Sequence, residues 1–158
     1  MKKPIIIAVL IAGFLGFIAG NAFWYLFSPL WINVEVSEAL PDMAIATSTR
    51  QAQFADADAF HKGAGQAEFI VTATGDNLIR FTQFESTNGP DLKVYLVKAS
   101  NIATSDDVTG SEWLSLGPLK GNIGDQNYTL PKGENPDDYK SVVIWCEQFG
   151  VLFSAANF

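Results

Sequence analysis

The sequence predicts an all-β domain, folded as an antiparallel β-sandwich of about seven or eight short strands, behind one N-terminal transmembrane helix. The first observation is an apolar block without a charged residue at positions 5–27. The second is a series of short apolar or alternating runs after position 60, separated by Gly, Pro, Asn and Asp roughly every eight to twelve residues. The third is that no helical apolar stripe follows the block. A helical bundle is therefore disfavoured.

The apolar block is long enough to cross a bilayer, since a helix of this length spans roughly 34 Å. Lys2 and Lys3 precede it, and the nearest charge after it is the acidic Glu35. This lysine bias predicts a single pass through the cytoplasmic membrane with the N-terminus inside and the remaining chain on the periplasmic or extracellular side. Trp24 and Trp31 lie at the far end of the block, where aromatic rings prefer the headgroup region.

A cleaved signal peptide is the alternative, because residues 20–22 resemble a cleavage site of small residues after an apolar stretch. The apolar run continues past that site through residues 23–27, as a stop-transfer anchor does. A retained anchor is the favoured interpretation.

The charge balance argues against some partners. The chain has 10 basic and 17 acidic residues, which gives a formal net charge of −7. Nucleic acid and anionic lipid headgroups both require basic patches, so neither is an expected partner of the exported domain.

Composition divides the chain into three parts. Residues 1–31 contain the cytoplasmic stub and the anchor, and residues 54–158 contain the β-sandwich. Residues 32–53 are rich in Ala, Ser, Thr and Gln with little apolar periodicity, and we expect them to form a tether.

Seven runs predict the strands of the sandwich. Residues 66–72 and 78–84 are separated by a Gly- and Asn-containing segment and predict a hairpin. Residues 141–146 are apolar on both faces and predict a central strand. The other runs are residues 92–97, 113–116, 127–130 and 151–154.

Counting excludes most catalytic and metal sites. The exported domain has one histidine, His61, and one cysteine, Cys146, too few for the usual zinc, blue-copper or covalent haem sites. No serine lies in a nucleophile elbow, and the paired aspartates lie among loop-forming residues. No metal, no cofactor and no enzyme turnover are expected. Cys146 is a thiol open to oxidation in an exported domain, or else a small buried core residue.

The order of motifs after Phe60 resembles the DM-thirteen domain, a module associated with electron transfer. The resemblance covers the whole exported domain. Its signature segments are Phe60, His61, Gly63, Gly65, residues 88–92, 94–96, 116–117, 119–122, 124–128 and 142–146, followed by Phe149, Phe153, Ser154 and Ala155.

The resemblance implies a β-sandwich-like fold and a cysteine in redox chemistry, which corresponds to Cys146 here. It also implies an association with membrane anchors or with haem-binding, electron-passing domains. This chain contains no such haem domain. The electron donor or acceptor is therefore expected to be another protein, a redox partner that contains haem or a thiol.

Two functions follow as hypotheses. The first is a membrane-tethered redox or electron-transfer accessory domain that uses Cys146, with His61 lowering the thiol pKa if it lies nearby. The second is a non-catalytic module that binds a protein or glycan, with Cys146 in its core. The loop residues expected to bind in the second case are Asn88, Gly89, Pro90, Asp91, Asp125 and Asn127.

Overall fold

The computed structural model describes residues 2–41 and 44–158, in two compact units. The first unit ends at Ile32 and consists of helix α1, Lys2–Phe27, followed by a 3₁₀ turn at Ser28–Leu30. Within α1, the 23 residues Lys3–Tyr25 are long and apolar enough to cross a membrane. The predicted helix is confirmed, and its length and composition fit both a membrane anchor and a signal sequence.

The second unit, Asn33–Phe158, is mostly β-structure. Nine strands in the described part of the chain form one sheet in the order β1-β7-β4-β3-β2-β9-β8-β5-β6. The strands are β1 Glu35–Ser37, β2 Ala44–Asp56, β3 Gly63–Thr72, β4 Asn77–Ser86, β5 Leu92–Val97, β6 Trp113–Pro118, β7 Ile123–Thr129, β8 Ser141–Cys146 and β9 Val151–Asn157. A short helix, α2, covers Ser105–Thr109.

Strand β2 belongs to both halves of this sheet. Its residues up to Gln53 pair with β3, and Phe54 to Asp56 pair with β9. The sheet curls at this strand, so that its two halves face each other as the layers of a sandwich do. The predicted fold class, an all-β sandwich after one N-terminal helix, is confirmed. One strand pair is parallel, β1 with β7, where only antiparallel pairs were expected.

The two faces of β8 lie in two different apolar clusters. Val142, Ile144 and Cys146 point between the sheet halves, where they join aromatic side chains such as Phe81. Val143 and Trp145 point to the opposite face, and their cluster also contains residues from α2 and the loop before it. All six residues of β8 are buried, as expected for a central strand.

Helix α2 closes the second cluster. Thr104 caps the helix and forms a capping box with Asp107. The side chain of each residue accepts a hydrogen bond from the backbone amide of the other. Val108 is the buried residue of the helix. Only one apolar residue of this helix faces the core, which is why no apolar periodicity predicts it.

All seven predicted strands are present, as is the hairpin β3–β4. The structure differs from the sequence prediction at residues 32–53, which were expected to form a tether. This segment contains strand β1, Glu35–Ser37, and most of strand β2, Ala44–Asp56. Small polar residues do not mark a strand in the sequence, but main-chain hydrogen bonds to β3 place them in one.

The pairing of β2 predicts the result of truncation. A chain starting at residue 33 should unfold in one cooperative thermal transition, whereas a chain starting at residue 54 should not fold cooperatively. The shorter chain lacks the β2 partner of β3, from Ala44↔Thr72 to Gln53↔Gln66, and leaves an unpaired edge. Circular dichroism melting of both chains measures this. Equal cooperative melting of the two would show that residues 33–53 are dispensable, as a tether would be.

Candidate functional site

Three loops meet at one end of the domain, and we call this end the thiol end. They are the β2–β3 loop (57–62), the β4–β5 loop (87–91) and the β8–β9 turn (147–150). Main-chain hydrogen bonds connect them: the Thr87 amide donates to Lys62, at 3.1 Å, and the Glu147 amide donates to Asp91, at 3.1 Å. Several segments that carry the resemblance are thereby brought together.

Cys146 is the last residue of β8 and lies just beneath this surface. Its side chain is 1% exposed, and its Sγ donates a hydrogen bond to the Pro90 carbonyl oxygen at 2.9 Å. Burial raises the pKa of the Cys146 thiol, and the backbone amides of Phe149 and Gln148 offset this only in part. At rest the group is therefore a protonated thiol with little nucleophilic character.

His61 has Asp58 as its polar partner. The Nδ1 atom of His61 is 2.7 Å from the Asp58 carboxylate, which also accepts the backbone amides of Phe60 and His61. These hydrogen bonds, that of the His61 ring first, lower the pKa of Asp58 to about 2. The His61 ring packs against Phe153 with centroids 4.4 Å apart. The raised pKa of Cys146 is opposite in direction to the lowering expected from an imidazolium neighbour.

The four predicted loop residues 88–91 lie in the β4–β5 loop at the thiol end. Gly89 faces the Phe153 ring so closely that a Cβ there would lie 2.5 Å from it, which explains the glycine. Pro90 accepts the thiol hydrogen bond, and Asp91 forms an ion pair with Lys93 at 2.9 Å. The fourth residue, Asn88, points to the start of the domain.

Asn33, the first residue of the domain unit, is fastened to this same end. Its Oδ1 accepts hydrogen bonds from the side-chain amides of Asn88, at 2.8 Å, and Asn122, at 3.0 Å. The next backbone amide, of Val34, donates to the Asn122 side chain at 2.7 Å. The entry point of the domain and the loop that contains Pro90 are therefore directly connected.

Asp125 and Asn127 do not lie in a loop, as expected from the sequence, but inside strand β7. Asp125 forms a 2.8 Å ion pair with Arg80, and Asn127 accepts a hydrogen bond from the same guanidinium at 2.9 Å. The Asn127 backbone amide donates to Glu38. These side chains thus fasten β7 to β4 and to the segment after β1.

Aromatic rings line the outer face of the sheet half that contains β8. Tyr95 on β5 stacks on Trp113 of β6, with centroids 4.5 Å and planes 15° apart, and lies 6.4 Å from Trp145 of β8. The Tyr95 hydroxyl donates to the Glu147 carboxylate at 3.1 Å. Burial and this hydrogen bond raise the pKa of Tyr95 to about 12. The alternation of β5 indicates which side chains share a face, but not their partners across the strands.

Two large apolar side chains project from the thiol end. Phe60 is 83% exposed, and Phe149 is 66% exposed. Phe60 lies beside His61 in the β2–β3 loop, and Phe149 lies in the turn that follows Cys146. Both rings therefore lie at the same end of the domain as His61 and Cys146. Within residues 2–41 and 44–158, no cluster of three or more His, Cys, Asp or Glu side chains has the arrangement of a metal site.

The fold and the site define a class: a β-sandwich domain with a single buried thiol at the end of its central strand, beneath three loops. A family model described as Electron transfer DM13 matches residues 53–158. The chain belongs to this family, and a redox-related role follows. No curated protein and no solved structure matches the chain.

The raised pKa of Cys146 predicts a dependence of stability on pH. In the unfolded chain a thiol titrates near its ordinary value, about 8.5. Because the folded value is higher, the thiol stabilises the fold fully below the unfolded value and loses this contribution as the pH rises through the folded value. The free energy of unfolding of the wild-type chain should therefore fall more steeply than that of Cys146→Ala between about pH 8 and pH 10. Urea titrations across this range measure it, and parallel curves for the two chains would contradict it.

Proposed function

We propose that this protein is a membrane-tethered redox or electron-transfer accessory domain on the outer side of the cytoplasmic membrane, with Cys146 as its reactive thiol. Helix α1 is the anchor in this proposal. The match of residues 53–158 to the electron-transfer family is the observation that carries it. The placement of Cys146 beneath loops that include the family-like segments supports the assignment of the thiol.

Reaction at Cys146 requires the thiol to become accessible. The thiol proton is already engaged in a hydrogen bond to the Pro90 carbonyl oxygen. The turn 147–150 follows directly on Cys146. The four residues of this turn are exposed, so its displacement costs little apolar burial. A partner that binds the exposed Phe149 would act on this turn. The thiol is then protected at rest and becomes reactive in the complex.

A redox partner must complete the chemistry. Joining Cys146 to a partner thiol as a disulfide releases two electrons and two protons. A haem-containing partner in its ferric state accepts one electron per iron, so the reduction of two ferric irons to the ferrous state balances the step. His61, held by Asp58 and packed on Phe153, is proposed to support the β2–β3 loop beside this partner surface.

The thiol assignment predicts a specific oxidation state in the native membrane. Membranes are treated with an oxidant or a reductant, denatured with an alkylating reagent present, and Cys146 is examined by mass spectrometry. We expect a disulfide or other reversible oxidation product that appears with the oxidant and disappears with the reductant. In Cys146→Ser the cellular function should be lost while the fold remains.

Val94→Ala is the matched control, since Val94 is buried in the same cluster but has no redox chemistry. It should cost about 1–3 kcal/mol of stability without loss of function. A thiol that stays reduced under every condition, together with normal function of Cys146→Ser, would overturn the redox assignment.

A non-catalytic binding module is the second candidate function. The buried thiol with its raised pKa and the exposed Phe60 and Phe149 at the same end favour it. In this case the loop 88–91 and the two phenylalanines contact a protein or glycan, and Cys146 is a core residue.

The second candidate predicts the opposite sensitivity. The double variant Phe60→Ser, Phe149→Ser should keep its melting temperature, since both rings are exposed, but lose its cross-linked partner in the native membrane. Cys146→Ala should keep the partner and cost about 1–3 kcal/mol of stability. Partner capture that is lost in Cys146→Ala but kept in the double variant would contradict this candidate.

A further inference from the structure

The outer face of β5 holds an aromatic arrangement that the thiol chemistry does not use. Trp113 pairs across the strands with Val97, and Trp145 pairs with Lys93, so both indoles lie diagonally from Tyr95 on the same face. Tyr95 is 2% exposed, whereas Trp113 is 49% exposed. The Trp113 ring is therefore in contact with solvent, whereas the Tyr95 ring is enclosed in protein.

The Tyr95 hydroxyl has a proton acceptor already in place. It donates to the Glu147 carboxylate at 3.1 Å, and the Lys93 ammonium, 3.4 Å from the same carboxylate, holds that side chain from the other side. Lys93 is itself fixed by Asp91, at 2.9 Å. A phenol gives up an electron far more readily when its proton has somewhere to go, because the phenol cation is a very strong acid.

We propose that Trp113, Tyr95 and Glu147 form a proton-coupled one-electron relay between the surface and strand β8, which deepens the proposed redox function and rests on it. An external one-electron oxidant takes one electron from the Trp113 indole and leaves its radical cation. An electron then passes from Tyr95 to Trp113, and the phenolic proton passes to Glu147. The products are neutral Trp113, a neutral tyrosyl radical and a protonated Glu147, so charge and electrons balance.

The geometry favours each transfer. Nearly parallel rings at 4.5 Å give direct contact between the π-systems of Tyr95 and Trp113, and electron transfer becomes faster as such groups approach. The proton moves only along an existing hydrogen bond. Trp145 of β8 is the next ring beyond Tyr95, with centroids 6.4 Å apart, and it precedes Cys146 in the sequence.

Another tyrosine provides a matched control. The Tyr139 hydroxyl also donates to a carboxylate, that of Glu134, at 2.6 Å. Its ring is buried in the cluster between the sheet halves, away from the face on which Trp113 stacks. Tyr139 thus has the proton acceptor of the relay but not its indole.

The test uses the full chain in detergent with photogenerated tris(bipyridine)ruthenium(III) as the oxidant. Transient absorption and electron paramagnetic resonance detect tryptophan and tyrosyl radicals. We expect a tyrosyl radical that forms as the tryptophan radical decays and is lost in Tyr95→Phe. In Glu147→Gln, which keeps every ring, its formation should slow on the order of 10²-fold, as expected when a positioned proton acceptor is removed. Tyr139→Phe should behave as the wild-type chain.

A tyrosyl signal unchanged in Tyr95→Phe, or formed at the wild-type rate in Glu147→Gln, would overturn the relay. Equal loss in Tyr139→Phe would do the same. Far-UV circular dichroism of each variant establishes that it is folded. Because the readout is a tyrosyl radical, it is separate from the oxidation state of Cys146. The two proposals can therefore fail separately. A tyrosyl radical in a chain whose Cys146 stays reduced would support the relay alone, and reversible oxidation of Cys146 without a tyrosyl radical would support the thiol assignment alone.

Discussion

Burial of β8 on both of its faces is the constraint on which the rest of the domain depends. A strand with valine and isoleucine toward one side and tryptophan toward the other needs a cover on each side. The curled sheet supplies the first cover through the half that contains β3, β4 and β7. Helix α2 and the loop before it supply the second. The curl in turn requires one strand that belongs to both halves, and β2 is that strand.

Periodicity was sufficient to predict the seven strands whose side chains alternate or form apolar runs. It failed for β2 because residues 44–53 have no clear alternation of apolar and polar side chains, and their place in the sheet is defined by their pairing with β3. Cys146 was identified by counting, since it is the only thiol in the chain. Its partner Pro90 could not be predicted, because a contact between residues 56 positions apart depends on the register of β5 with β8. The same limit applied to the Tyr95–Glu147 pair.

The two chemistries proposed for this domain lie on opposite faces of the sheet half that contains β8. Cys146 points between the sheet halves, and Trp145 points outward to the face that holds Tyr95 and Trp113. The two residues are consecutive in β8, so their side chains point to opposite faces. Alternation along a strand thus places a thiol and an indole back to back across a single peptide unit. The burial that raises the pKa of Cys146 keeps its thiol protonated. The half-exposed Trp113 stays accessible to oxidants.

The hydrogen bonds of Asn33 have a mechanical consequence. A pull on the chain that enters the domain at this residue is borne first by its bonds to Asn88 and Asn122. Asn88 lies two positions before Pro90, whose carbonyl oxygen accepts the hydrogen bond of the Cys146 thiol. Tension on the entering chain therefore acts on hydrogen bonds to the loop that caps Cys146. The start of the domain and the cover of the thiol are thus connected through a segment of only a few residues.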